Sequence, residues 1–228
     1  MPQPETFKAE NLPLWFVVLF SIIAPTWSFA NLLKRKYHRT RIIKTLNWFW
    51  LGVSVFMFVG LWICTQNDVG LVPRLSSRPV DQSVVENAVL LWVYLLWSRN
   101  TEIGFAFLRD AHDKISPLVA ASKLKPRDRL ALALRSYIEL ILNFTMLFAL
   151  CPANSWQESF EPKLVTDVLY FSATTITTSG NGAFVPKGKM LQFLSTYEIY
   201  CGLILLVVCF TIYTGLKTSI APDSGDSE

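Results

Sequence analysis

Charge is scarce in this chain and histidine nearly absent: of 228 residues, 17% are Asp, Glu, Lys or Arg, and two are histidines. There is no His/Glu metal pair at helical spacing, no phosphate-binding Gly-Lys run and no nucleophile motif, so an enzyme site has nothing to be built from. The four cysteines, Cys64, Cys151, Cys201 and Cys209, stand within or beside apolar stretches without metal-ligand spacing. Cys64 and Cys151 both fall near the expected outer surface; a disulfide is conceivable there, but nothing in the sequence supports it. The formal charge of +4 argues little for nucleic acid, because the basic residues cluster beside apolar runs and not on a face of their own. Met1–Asn11 is polar and lacks the basic cluster that opens a cleaved signal peptide, so it is expected to stay on the chain.

What is abundant is apolar surface. With 52% hydrophobic and 14% aromatic residues and a mean hydropathy of +0.36, the composition is that of a polytopic membrane protein. Leu12–Leu33 carries no charge over 22 residues, long enough to cross a hydrocarbon layer of about 30 Å, with Pro25 expected to kink it. Lys34, Arg35, Lys36, Arg39, Arg41 and Lys44 follow without an acid among them, which makes this loop cytoplasmic; the cluster is a topology signal or a seat for anionic lipid head groups. Leu46–Cys64, with Trp48, Trp50 and Trp62 at interfacial levels, is a second span. Thr65–Gln82 reads as an external loop.

Val84–Leu108 is interrupted by Arg99 and Glu102, whose spacing of three places them on one helical face as an intramembrane pair. One arginine beside one glutamate lacks the repeated charges of a voltage sensor, which favours a structural or lipid-facing pair. Arg109–Arg135 contains Pro117 and Pro126 and reads as a cytoplasmic linker, its Arg127–Arg135 part lying along the inner membrane surface. His112, between Asp110 and Asp113, reads as a solvated histidine in preference to a metal or proton sensor. Tyr137–Cys151 is a further span, in which Glu139 lies four residues after Arg135, a spacing that permits a pair at the inner interface. Asn143 heads a glycosylation pattern but lies inside this span. Pro152–Pro162 forms an external turret with Trp156 as anchor and Glu158 and Glu161 as the nearest acids. Met190–Thr214 is the last span, with Gly202 as a bend and Gly215 as a stop.

Between the last two spans stands the most specific stretch, Tyr170–Pro186, reading YFSATTITTSGNGAFVP. Gly180 and Gly182 permit left-handed backbone, so carbonyls can turn toward one axis and replace an ion's hydration shell. Thr178 adds a hydroxyl and a carbonyl at the inner end. Val168–Thr177 forms a half-membrane helix that delivers the segment to depth, where non-helical backbone survives only if buried in protein or facing water.

At these residues the chain resembles the pore loop of potassium channels, whose pattern is an aromatic-rich pore helix, T-x-T-T-V-G-Y-G-D, then a hydrophobic residue and Pro. Thr175, Thr177, Thr178, Gly180, Gly182, Val185 and Pro186 fall in register, as do Tyr170, Phe171 and Ser172 upstream and Glu198 and Gly202 downstream. The resemblance covers about Asp167–Thr214. It departs at Ser179, where the family has Val or Ile, at Asn181, where it has Tyr, and at Ala183, where it has Asp. Since the family's Tyr and Asp brace the filter from behind, their replacement implies potassium passage with weakened discrimination against sodium.

The expectation is an all-α membrane protein of five transmembrane helices plus a re-entrant pore helix and filter loop. Residues 1–136 form an N-terminal region with three peripheral spans and a linker, 137–215 the pore domain, and 216–228 a cytoplasmic tail too short for a ligand-sensing domain. The resemblance implies a homotetramer in a bacterial-type inner membrane, N-terminus outside and C-terminus inside, in contact with lipid. It implies ion ligands at Thr178, Ser179, Gly180, Asn181 and Gly182, filter support from Thr174, Thr175, Thr177 and Glu198, and a hinge at Gly202. No cofactor is expected beyond permeant potassium or sodium. The rival reading is a non-conducting membrane scaffold or sensory subunit that keeps the fold.

Overall fold

The computed structural model describes residues 14–36, 39–65, 82–115, 126–157, 162, 164–180 and 182–220. These form seven α-helices: α1 (Leu14–Ile23), α2 (Pro25–Lys36), α3 (Arg39–Thr65), α4 (Gln82–Ile115), α5 (Pro126–Ala149), α6 (Val165–Ile176) and α7 (Lys189–Ile220). A 3₁₀ turn at Ala153–Ser155 precedes α6. Three of the helices have the length and composition to cross a membrane, over Thr40–Ile63, Arg127–Ala149 and Lys189–Phe210. A fourth crossing is reached if α1 and α2 together count as one.

The first apolar run is therefore no simple kinked span: α1 and α2 meet at 117°. Pro25 has no amide hydrogen for the next helical bond, so the ladder ends one residue earlier, where the Ala24 amide donates to the Phe20 carbonyl at 2.8 Å. The freed groups find partners on α4. The Tyr94 hydroxyl donates to the Ile22 carbonyl, and the Thr26 amide donates to Ser98 Oγ at 3.2 Å. Phe20 and Trp27 close over Phe105 with ring centroids 4.6 and 5.9 Å away.

α4 is one unbroken helix of 34 residues, about 51 Å long at 1.5 Å per residue, so it runs well past Leu108 and carries Arg109 and His112 on helical backbone. Its apolar first half gives way to the polar run Ser98–Glu102, and it falls outside the set that qualifies as spans by composition. The expected surface segment Arg127–Arg135 is likewise absorbed into α5. Pro126 sits at the first helical position, where a missing amide hydrogen is harmless, and Asp128 favours the first turn. Nothing between there and Ala149 breaks the helix. α7 passes through Gly215 to Ile220 without stopping, because one glycine ends a helix only when its backbone turns left-handed.

α5, α6 and α7 pack on one another, with α3 and α4 against them and α2 lying on α3 and α4. The core at their junction holds Leu140, Phe144, Phe148, Phe171, Leu191 and Leu205, all buried. Trp156 seals its outer end, edge-on to Phe171 at 5.0 Å.

Candidate functional site

The helix that leads into the glycine-rich segment is α6, slightly earlier than read from sequence. Asp167 Oδ2 accepts from the Leu164 amide at 2.9 Å, which holds one of the open donors at its N-terminus. Its C-terminus ends in a double bond pattern: the Thr178 amide donates to the Thr175 carbonyl at 2.9 Å and the Ser179 amide to the Thr174 carbonyl at 3.0 Å. That is the Schellman stop, in which the residue at Thr178 must turn left-handed. Its φ is +56°, in a region that costs a β-branched residue about 1–2 kcal/mol, a strain that collects at functional segments. Gly180 is the second left-handed residue, with φ +75°. Gly182 is not left-handed, so the two reversals fall on Thr178 and Gly180 instead of on the two glycines.

The resulting segment is rich in neutral oxygen. Thr177 Oγ1 lies 2.8 Å from Ser179 Oγ and donates to the helix carbonyls of Ala173 and Thr174, while the Thr178 hydroxyl donates to the Thr177 carbonyl at 2.7 Å. Thr174 bonds back to Tyr170 and Phe171, which keeps its hydroxyl inside the helix, and Thr175 contributes its carbonyl to the stop. Thr177, Thr178, Ser179, Gly180 and Gly182 are all exposed in the single chain. Asn181, Glu158 and Glu161 lie outside the described residues. The C-terminal end of α6, carrying the negative pole of its dipole, abuts this segment and favours a cation there.

The return strand is braced by backbone. Trp156 and Pro186 pair across an antiparallel bridge, the Gln157 amide donates to the Val185 carbonyl at 2.9 Å, and the amides of Lys187 and Gly188 both donate to the Ser155 carbonyl at 2.8 Å. Gly188 is required by that contact, since a Cβ there would stand 3.1 Å from the Ser155 Cβ. Behind the segment, Ser172 Oγ lies 2.5 Å from Glu198 Oε1 and 3.0 Å from the Ile141 carbonyl, so one hydroxyl joins α5, α6 and α7. Glu198 is fully buried. Gly202 stands at the tightest crossing: a Cβ would meet the Ile176 carbonyl and Cγ1 at 2.8 Å, so here glycine allows contact between α7 and the end of α6. α7 runs on as helix through it.

Residues 136–216 match the family model described as an ion channel. The match begins inside α5 and ends inside α7, enclosing α6 and the oxygen-rich segment, and it makes this part of the chain an ion-channel domain in a membrane protein. No curated protein and no solved structure matches the chain.

Five consecutive residues of α4 carry polar contacts, and three of them reach α5 and α7. Ser98 Oγ lies 2.8 Å from Thr26 Oγ1 on α2; Arg99 pairs through Nε with Glu139 Oε1 on α5 at 2.6 Å; Asn100 Oδ1 accepts from Asn143 on α5 at 2.9 Å. Thr101 Oγ1 accepts from the Tyr197 hydroxyl on α7 at 2.9 Å, and Glu102 pairs with Arg99 Nη1 at 2.9 Å. Arg99 is 7% exposed and Glu139 is 0% exposed. The pair of Glu139 with Arg135 that the spacing permits is not the one formed. Glu139 faces α4, while Arg135 lies over the Trp48 ring at 4.2 Å, because four-residue spacing places the two side chains near each other without deciding where either turns. Asn143, set aside as a glycosylation site, is buried and also accepts from Ser54 at 2.8 Å. Sequence reasoning found Arg99 and Glu102 but missed Ser98, Asn100, Thr101 and Tyr197; the available signal was five polar residues in a row within an apolar helix.

Proposed function

We propose that four copies of this chain assemble around an axis and that the Thr178–Gly182 segments together form the filter of a cation channel of the potassium type. The observation carrying this is the left-handed pair Thr178 and Gly180 at the end of α6, on a segment left exposed by its own chain. Buried functional backbone at membrane depth needs protein or water around it, and further copies would supply that cover. A ring of neutral oxygens then replaces the hydration shell of a monovalent cation. The turret-to-return-strand bonds hold the outer end chiefly by backbone, so with Asn181 and Ala183 in place of ring and carboxylate the filter discriminates weakly between potassium and sodium. The filter mouth and N-terminus face outside and the C-terminus the cytoplasm, an orientation that puts the basic residues around α2, α3 and the start of α5 inside.

A second reading, a non-conducting scaffold of the same fold, draws on one feature: the Thr178 hydroxyl is turned onto the Thr177 carbonyl, which occupies an oxygen a permeant ion would need. Purified protein in liposomes separates the two. Potassium flux, followed by a smaller but measurable sodium flux, is expected; absence of both with intact tetramers leaves the scaffold standing, and strict potassium selectivity in bi-ionic reversal potentials removes the weakened filter.

A further inference from the structure

α4 and α7 lie side by side, and their contacts keep one register. Trp97 stacks on Phe193 with ring centroids 5.8 Å apart, and Thr101 accepts from the Tyr197 hydroxyl at 2.9 Å. Further in, Cys201 Sγ lies 3.6 Å from where a Cβ of Gly104 would stand, and Ala111 packs with Val208. In each pair the α7 residue comes 96 or 97 positions after its α4 partner. A constant offset means that the two helices point the same way and do not merely cross, so from Trp97 to Ala111 the seam is about 21 Å long at 1.5 Å per residue. Trp97, Thr101, Gly104 and Ala111 follow at steps of four, three and seven, the spacing by which one helix keeps a single face on another.

Twice along this seam, a residue of α7 that meets α4 is followed directly by one that meets α6. Tyr197 is bonded to Thr101 on α4, and Glu198, the next residue, is bonded to Ser172 on α6. One turn further, Cys201 lies against Gly104 of α4, and Gly202 lies against the end of α6, where a Cβ would stand 2.8 Å from the Ile176 carbonyl. Ile176 is the last residue of α6 and stands two before Thr178, whose left-handed backbone begins the oxygen-rich segment. Consecutive residues of a helix point about 100° apart, so a push on α7 at Cys201 carries Gly202 across the end of α6. The contact there has no slack to absorb it.

We propose that α4 regulates the filter through α7: the consecutive pairs Tyr197–Glu198 and Cys201–Gly202 form a relay that passes displacement of α4 to α6 and so sets ion selectivity. α4 runs on past the seam to Ile115, which gives the relay an inner end on which to be moved. These four residues are positioning residues; they act on the filter by way of Ser172 and Ile176. The relay rests on the channel reading and adds to it which peripheral helix acts on the filter and where.

The full chain in liposomes tests it with a wedge. Gly104→Ala, Gly104→Val and Gly104→Leu place growing volume against Cys201 Sγ, whereas Gly60→Leu puts the largest of these side chains on α3 at a position where a Cβ meets nothing within 4 Å. At equal tetramer content, the potassium-to-sodium permeability ratio from bi-ionic reversal potentials is expected to fall with side-chain size at Gly104, by about threefold at Leu, and to stay unchanged in Gly60→Leu. Gly104→Cys combined with Cys201→Gly exchanges the two volumes and is expected to restore the ratio. If Gly104→Leu yields no tetramer, the Ala and Val variants carry the same comparison. A wedge that only weakens the fold lowers flux in proportion to lost tetramer and leaves the ratio alone, and that result overturns the relay while the channel reading stands. Absence of flux from the natural sequence removes the channel reading, and the relay with it.

Discussion

Thr177–Gly180 and the polar run of α4 are both islands of oxygen and nitrogen among apolar helices, yet they are completed in opposite ways. Ser98–Glu102 is sealed within one chain: four of its residues bond to α2, α5 and α7, and the fifth pairs with its neighbour Arg99. Thr177–Gly180 has the Thr177 and Thr178 hydroxyls turned onto its own backbone and its surface open. A buried charge is tolerable only when paired, so the α4 run had to be closed by the fold; a neutral carbonyl row can be left for ions and further copies. Stability should therefore live in the first island and ionic selectivity in the second.

The sharpest way to break that division is Arg99→Met. It leaves Glu102 and Glu139 buried together without a cation and is expected to cost about 3–5 kcal/mol, read as a large loss of folded protein and of melting temperature in detergent. If folded material is recovered in normal yield, the cluster is not the tie between α4 and the ion-channel domain. Next comes Gly202→Ala, which forces a methyl to within 2.8 Å of Ile176 and should separate α6 from α7. A destabilisation of about 1–3 kcal/mol and a fall in cation flux are expected together, because this contact touches both islands' shared support. Ser172→Ala removes the hydroxyl beside Glu198 and is expected to cost about 1–3 kcal/mol, measured by thermal unfolding, with flux reduced in proportion to lost protein.

Asn181→Tyr combined with Ala183→Asp sharpens the other side. Selectivity for potassium over sodium is expected to rise in bi-ionic reversal potentials while the melting temperature barely moves. The smallest effect concerns Cys151, a free thiol outside the spans whose burial pushes its pKa up to about 11. A raised pKa means less thiolate at a given pH, so alkylation near pH 8 should be slow and climb about tenfold per pH unit toward that value. Fast labelling at neutral pH would place Cys151 in a more open turret than the one described.

How far each island was legible follows from how far away its partners are. Gly180 could be placed because its geometry is local: a helix end and a glycine at a fixed offset. Even so the reversal at Thr178 was hidden, since threonine gives no sign of a left-handed backbone until the helix that needs stopping is seen to end there. On α4, Arg99 and Glu102 could be paired by spacing. Glu139, 40 residues beyond Arg99, and Tyr197, 96 residues beyond Thr101, could not. Pro25 was readable as a disturbance, but the 117° turn depends on Tyr94 donating to the Ile22 carbonyl and Ser98 accepting from the Thr26 amide that the break released.

Apolar runs, the basic clusters beside them and the T-T-S-G-N-G stretch are properties of neighbouring residues, and by themselves they determined a helical membrane protein and a resemblance to ion channels. Which polar side chain meets which, and that Gly202 brings α7 against the end of α6, was decided only when the helices packed. The physical reason is reach: hydropathy and backbone preference act over a few residues, whereas a buried charge must find whatever partner the tertiary structure brings within about 3 Å.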